Sequence, residues 1–350
     1  MKQPLREVLC PQPKSKIKAG EGQIEGTYKF YTSSQTQSKF YDAATYTHPA
    51  LIFGTGGMAS VHFCDEPFST STDCLVMYGR QEAPLELIYY YLRSNVHLLQ
   101  KGFKGAGLQH ISKDYILNIE VDIPEPFTQK QMIHQLHLID RTIRAKNQQL
   151  VSLDELVKSR FIELFGDPVS NSRGLPENTL PEMGEFGRGV SKHRPRNDPK
   201  LLGGKHPLIQ TGDVAAADLY ITEYNSTYSD LGLAQSKMWK KGTLCITIAA
   251  NIAKTAILDF DACFPDSVVG FIANEKTNNV YIHYWFSFFQ RILEAQAPES
   301  AQKNINLKIL SELKVICPDK DEQDAFAAFV AEVDKSKYLN PSTTPQLAIA

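Results

Sequence analysis

Two stretches decide the fold of this chain: EVDIPEPFTQKQ, Glu120–Gln131, and KVICPDKDEQDA, Lys314–Ala325. Set one above the other, Pro124 falls on Pro318, an offset of 194 residues, and the same offset places Val121 on Val315, Gln129 on Gln323 and Asp140 on Asp334. Moving upstream without a gap, Ile111 meets Ile305, Leu99 meets Leu293, Tyr90 meets Tyr284, Asp65 meets Asp259 and Ile52 meets Ile246. The register runs for roughly ninety residues, which is the signature of an internal repeat. Apolar runs agree as well: LIF at Leu51–Phe53 faces CIT at Cys245–Thr247, and DCLVMY at Asp73–Tyr78 faces SVVGFI at Ser267–Ile272. Further upstream, YKFYTSS (Tyr28–Ser34) matches HPLIQTGD (His206–Asp213) at a smaller offset, which implies an insertion of about fifteen residues in the second copy. The chain therefore reads as a duplicated α+β unit, each copy closing with an apolar strand, a proline and a long helix.

The helix of the first copy is the second signal. Thr128 and Gln131 form a capping box at its start. Counting by sevens gives Leu136, Ile143, Leu150, Val157 and Leu164, interleaved with Met132, Ile139, Lys146, Leu153 and Arg160, a seam imperfect at two positions. Gly166 and Pro168 stop it. From Thr128 to Phe165 the helix is about 57 Å long at 1.5 Å per residue. One narrow apolar stripe on so long a helix predicts packing against another helix; the plainer alternative is a surface helix lying on one domain. Its expected partner is the second copy's helix, where Phe326, Val330 and Val333 repeat the seam. Two such helices packed antiparallel hold similar domains at a fixed distance, a geometry suited to two separated half-sites on a duplex.

Composition limits what these domains are. The 350 residues suffice for two ordinary cores, and 42% hydrophobic with 22% charged residues is ordinary for soluble globular chains. The start, MKQPLREVLCPQPKSK, lacks an apolar export segment, and no run approaches a membrane span, so the expectation is a soluble, cytoplasmic protein. Six cysteines without a C-x-x-C pair favour reduced thiols over disulfides or zinc. A net charge of −2 gives no bulk attraction to nucleic acid, so any such face depends on local segregation of charge.

The apolar strand, proline, acidic residues, Gln and amphipathic helix ending L-DELVKSRF-E-FGDP resemble the specificity subunits of type I restriction-modification systems. PLIQTGDV (Pro207–Val214), LCITIAANIAKTAI (Leu244–Ile257), CFPDSVVGFIA (Cys263–Ala273), YIHYWF (Tyr281–Phe286) and SAQKNINLKILSELKVICPDKDEQ (Ser300–Gln323) extend the likeness over most of the chain. It is weaker before Leu51. The resemblance implies two target-recognition domains, residues 1–125 and 167–318, each reading half of a split sequence in double-stranded DNA. A spacer helix over 126–166 and a shorter one with an irregular tail over 319–350 form an antiparallel coiled coil. These helices act as a ruler and dock methyltransferase (M) subunits, with the restriction/translocase (R) subunit as a further partner and no cofactor, metal, membrane or chemistry of the chain's own. One departure stands out. After Val333 the seam positions become Lys337 and Thr344, and YLNPSTTPQLAIA (Tyr338–Ala350) carries two prolines, so the second helix reads as shorter than the resemblance implies, completed in one alternative by a second copy of the subunit.

Catalytic readings find little. FGTGGM (Phe53–Met58) lacks the spacing of a phosphate loop, and tight-turn glycines account for it. His134 and His137 have no third metal ligand nearby in sequence and read as a solvated or docking face. No Asn/Asp-Pro-Pro-aromatic motif is present, so methylation belongs to a partner. For DNA contact, EFGRGVSKHRPRNDPKLLGGK (Glu185–Lys205) reads as a mobile basic loop carrying Arg188, Lys192, Arg194, Arg196, Lys200 and Lys205, suited to phosphates and to guanine O6 and N7. Lys14, Lys16 and Lys18 occupy a comparable place in the first copy, and Lys237, Lys240 and Lys241 cluster around Trp239. The partner and spacer residues are Leu136, Ile143, Leu150, Leu153, Val157, Leu164, Phe326, Val330 and Val333. The competing function is a paired-domain coiled-coil scaffold that binds proteins and no DNA; salt-dependent retention on duplex separates the two.

Overall fold

The structure is a computed structural model that describes residues 2–105, 107, 109–249, 252–289, 291–292 and 305–338. The chain divides into two compact units, Met1–Ala145 and Lys146–Thr344.

In the first unit the strand Ala50–Gly54 is buried at all five positions, as expected of an apolar run covered on both faces. It lies inside a four-stranded antiparallel sheet ordered Leu9–Pro11, Cys74–Gly79, Ala50–Gly54, Ser60–Cys64. Leu51 and Phe53 point to one core with Leu85, Ile88 and Leu92 of the helix Leu85–Ser94. Ala50 and Ile52 point to the other, beneath a three-stranded sheet in which Tyr28–Tyr31 pairs antiparallel with Lys39–Tyr41 and parallel with Phe68–Thr70. Strand Glu120–Asp122 pairs with Lys2–Pro4 and delivers the chain to the long helix.

The second unit repeats this order. Gly184–Arg188, Val268–Ala273, Leu244–Thr247 and Thr255–Leu258 form the equivalent sheet, with Tyr220–Ile221 added at its edge. Leu202–Leu208 pairs with Ser226–Tyr228 and, in parallel, with Ala262–Cys263. The additional segments, helix Thr211–Ala216, strand Tyr220–Ile221 and helix Asp230–Ala234, lie where the sequence places the insertion, whereas Trp239 on Ala262 repeats the Tyr46–Phe68 bridge of the first unit.

The ungapped alignment needs one correction. Ile52 pairs with Val76 and His62, whereas their counterparts Gly270 and Ala256 pair with Cys245 and not with Ile246. Ile52 is thus equivalent to Cys245, and Leu51 and Phe53 to Leu244 and Ile246. A slip of one residue would turn every side chain of a strand to the opposite face, and burial agrees with the corrected register, since Leu244 and Ile246 share one core and Cys245 the other. Leu293 and residues 300–304 of the matched stretches lie outside the described residues.

The central helix runs Pro126–Phe165. It begins at Pro126, two residues before the expected Thr128 cap, because a proline is favoured where no N–H is needed. Gly166 takes a left-handed φ of +77° and donates to the Ile162 carbonyl, closing the helix. The second long helix is Lys320–Tyr338. Both starts use the same joint: Gln129 Nε2 donates to the Pro124 carbonyl at 2.8 Å, and Gln323 Nε2 to the Pro318 carbonyl at 2.8 Å. Gln323 is fully buried, and its Oε1 accepts from Thr277 Oγ1 at 2.7 Å, so its amide is satisfied.

Candidate nucleic-acid interface and helix seam

In the second unit the end of the central helix and the second helix run antiparallel. Phe161 meets Phe326 at 5.5 Å between ring centroids, Phe165 meets Phe326 at 5.7 Å, and Lys337 reaches back to Asp154 at 2.7 Å. Phe161 also stacks on Tyr281 at 5.4 Å, so the helix pair is built into the core of the second unit. The buried row is Val157, Phe161 and Phe165, at helical spacing of four, with Leu153 and Leu164 half-buried beside it. Phe161 and Phe165 fall outside the seven-residue count, and only the contacts reveal them. Phe326, Val330 and Val333 are buried on the facing helix. Leu136 is half-buried, whereas Ile143 and Leu150 are 45% and 42% exposed.

Lys337 corrects the expectation that the seam simply lapses after Val333. Its side chain is only 9% exposed and pairs with Asp154 at 2.7 Å, Asp218 at 2.9 Å and Asp334 at 3.8 Å. Burial opposes its charge, but the hydrogen bonds to Asp154 and Asp218 outweigh that and raise its pKa. Asp334 moves upward, chiefly through burial. A cleft of about 410 Å³ lined by Asp154, Asp218, Lys254, Thr255, His283 and Tyr284 lies beside this knot, where Asp154 and Asp218 are 50% and 62% exposed. His283 Nδ1 lies 3.0 Å from Thr255 Oγ1, and burial lowers its pKa to about 4. Thr344 and the tail 339–350 lie outside the described residues.

The basic stretch Glu185–Lys205 is ordered differently from a free loop. Residues Gly184–Arg188 form a strand and Pro199–Leu201 a short 3-10 turn, because Glu185 and Phe186 pair with Ile272 and Phe271. Between them His193 contacts Asp198 at 3.1 Å, and Arg194 donates to the Ser191 carbonyl at 2.5 Å. Arg194 and Arg196 both pair with Asp266, Arg194 at 3.5 Å. Lys237 pairs with Glu185 at 2.6 Å and sits 3.7 Å above the Trp239 ring. Lys240 pairs with Asp261 at 2.8 Å, Lys241 with Asp259 at 2.7 Å and Lys205 with Asp230 at 3.6 Å. Arg188, Lys192 and Lys200 are exposed and have no ion pair among the described residues.

In the first unit Lys14, Lys16 and Lys18 are exposed, alternating with buried Ser15 and half-buried Ile17. They too have no ion pair among the described residues. Thr72 N donates to the Ile17 carbonyl at 2.9 Å, and Thr72 is the counterpart of Asp266. The two basic stretches therefore flank the same turn of the fold. The other motifs resolve as structure: Gly57 turns with φ +80°, and His137 lies 2.5 Å from Glu86. All six cysteines are free, and among the described residues no helix is long and apolar enough to cross a membrane.

A twice-repeated α+β fold, each copy closing on a long helix and flanked by a basic stretch, defines a duplicated two-unit protein. The sequence matches the type I restriction modification DNA specificity domain over residues 5–155 and again over 177–346, and the chain belongs to that family. Similar proteins include two from Methanocaldococcus jannaschii. The sequence is 21% identical over 259 residues to the one named as the type I MjaX specificity subunit (70% of this chain, 61% of the relative). It is 22% identical over 275 residues to the MjaVIII specificity subunit (71% and 63%). The chain thus spans about six-tenths of the length of these curated relatives. The fold is similar to the crystal structure of a type I restriction-modification S subunit from M. genitalium, with TM-score 0.59 at 14% identity over 96% of this chain and 90% of that one. It is also similar, with TM-score 0.50 at 15% identity over 96% and 90%, to a chain from a structure of complex assembly and conformational transition in the type I R-M system.

Proposed function

We propose that this chain is the sequence-reading subunit of a type I restriction-modification complex. Each unit reads one half of a bipartite target in double-stranded DNA, the long helices set the spacing of the half-sites and dock M subunits, and the R subunit joins the assembly they form. Catalysis belongs to those partners, so the chain is a cytoplasmic, cofactor-free recognition subunit. The observation that carries this reading is the duplication itself: two copies of one recognition fold present comparable basic stretches beside the same turn, as a protein reading two half-sites requires. Among the spacer residues, those buried in the helix pair fix its geometry, and exposed Ile143 and Leu150 are available to partners.

The test is an exchange of residues 1–125 for the matching part of a relative, co-expression with M subunits, and sequencing of the methylated genome. One half of the methylated motif changes and the other stays; a change in both halves, or in neither, refutes the division of labour. Inserting four residues between Lys146 and Leu150, roughly one turn or 6 Å, then lengthens the unread gap by about one or two base pairs at about 3.4 Å per pair.

A further inference from the structure

The two basic stretches differ in one respect. In the second unit two of the three arginines of the stretch are already engaged: Arg194 and Arg196, unlike Arg188, converge on the single carboxylate of Asp266, in the turn between Ala262–Cys263 and Val268–Ala273. All three side chains are accessible, with Arg194 54%, Arg196 45% and Asp266 34% exposed. In the first unit the same turn position is Thr72, exposed and uncharged, and Lys14, Lys16 and Lys18 beside it have no ion pair among the described residues.

We propose that Asp266 is a specificity-determining residue of the second unit, a built-in counter-charge that Arg194 and Arg196 exchange for DNA. This rests on the DNA-reading function proposed above. A phosphate is a weaker inducement to an arginine that already holds a carboxylate than to one that holds only water, because the two anions compete for the same N–H donors. Breaking the Arg–Asp contact also leaves Asp266 facing the negative duplex, a like-charge juxtaposition that suppresses wrong partners. Contact with random-sequence DNA is therefore discouraged at this unit. A guanine edge offering O6 and N7 provides bidentate hydrogen bonds that backbone contact lacks, and it offsets the exchange at the correct base alone. The lysines of the first unit carry no such counter-charge and supply the sequence-independent part of binding. At these two stretches, then, the first unit adds general attraction and the second adds discrimination, while each unit still reads its own half-site.

The experiment uses the full chain assembled with its M subunits, a duplex carrying the methylated motif, and a random-sequence duplex of equal length. Binding is measured across a salt series, and thermal unfolding is followed alongside. Asp266→Asn retains the shape and hydrogen-bonding capacity and removes the charge. It is expected to raise affinity for the random duplex by about two- to tenfold and to steepen the salt slope by roughly one to two units, since each released arginine neutralises about one phosphate. The ratio of specific to random binding then falls. Thr72→Asp is the mirror substitution at an exposed position and is expected to weaken random-duplex binding and flatten the slope. Asp266→Glu keeps the charge and stays close to the natural protein. Unchanged random affinity and slope in a folded Asp266→Asn complex would overturn the proposal, as would weaker binding to both duplexes, which marks Asp266 as a direct contact. Should neither duplex be retained at any salt by any form, the DNA-reading function itself fails and the counter-charge with it.

Discussion

The two units carry the same chain path and use their long helices in opposite ways. In the second unit Phe326, Val330 and Val333 are buried against the end of the central helix. Their counterparts in the first unit are Met132, Leu136 and Ile139, of which Met132 is 40% and Ile139 55% exposed. The first unit's cores, centred on Leu51, Phe53, Ile88 and Leu92 on one side of the sheet and on Ile52 and Phe68 on the other, include no residue of the central helix. What ties that helix to the first unit is polar: Tyr90 Oη donates to Asp140 Oδ2 at 2.7 Å, and His137 meets Glu86. In the second unit Tyr284 and Asp334 recur at the same register, but Lys337 enters between Asp154, Asp218 and Asp334 where the first unit has Ile143. Duplication preserved the scaffold while the stability of the helix attachment went to different chemistry.

The contrast breaks most directly at Phe161. Phe161→Ala removes a ring fully buried among Phe165, Tyr281, Phe288 and Phe326 and should cost about 3–5 kcal/mol. Ile143→Ala, on the same helix but exposed, should stay within about 0.5 kcal/mol. Denaturant unfolding read by hydrogen exchange should assign the first loss to residues 146–338; equal effects from the two changes would mean that both units bury the helix alike. Lys337→Met comes next. It leaves three carboxylates without their common cation, at a cost of about 1–3 kcal/mol after allowing for the 50% and 62% exposure of Asp154 and Asp218. Adding Asp218→Asn should recover part of the loss. If the single variant matches the natural protein, the ion pairs are surface decoration.

A smaller effect follows from His283. Its folded pKa of about 4 lies below the ordinary 6.5, so the neutral form is favoured by folding. That contribution is complete above 6.5 and is lost as pH falls through 4, giving a destabilisation on the order of 1 kcal/mol, discounted because His283 lines the open cleft. Comparing stability at pH 7 and pH 4.5 in the natural protein and in His283→Asn isolates it, since carboxylate titration is common to both. The first unit has Tyr89 at that position. Burial lowers the pKa of His62 in the first unit too, so the distinction lies in what His283→Asn removes: the slope should diminish in residues 146–338 and persist in the first unit, and an equal loss in both units would remove this distinction.

What could be read from the sequence was whatever repeats locally. Strand Cys74–Gly79 and strand Val268–Ala273, the prolines at 124 and 318 and the glutamines at 129 and 323 are fixed by short patterns of apolar run and stop, and they recur in register. The central strand escaped by one residue because LIF and CIT are equally apolar in either frame; only the pairing of Cys245 with Ala256 and Gly270 sets the face. Phe161 was hidden by counting in sevens, whereas its row advances in fours. The state of the basic residues was invisible for a different reason: Arg194 and Asp266 are 72 residues apart, and Lys337 and Asp154 are 183 apart. A charge looks free in a sequence until the fold supplies its partner.

The paired glutamine joints bear on how such a chain changes over generations. Because Gln129 and Gln323 each hold the carbonyl of a proline five residues upstream with the same 2.8 Å bond, a genetic crossover at either joint hands the incoming helix an anchor it already fits. The incoming globular part brings its own strand and proline, and the helix brings its own glutamine. Exchange of one unit for another therefore keeps the glutamine–carbonyl bond and the helix start at the point of fusion, while the Thr277 hydroxyl that Gln323 also uses travels with the globular part. The seam at which the copies were first joined remains the place where either is most cheaply replaced.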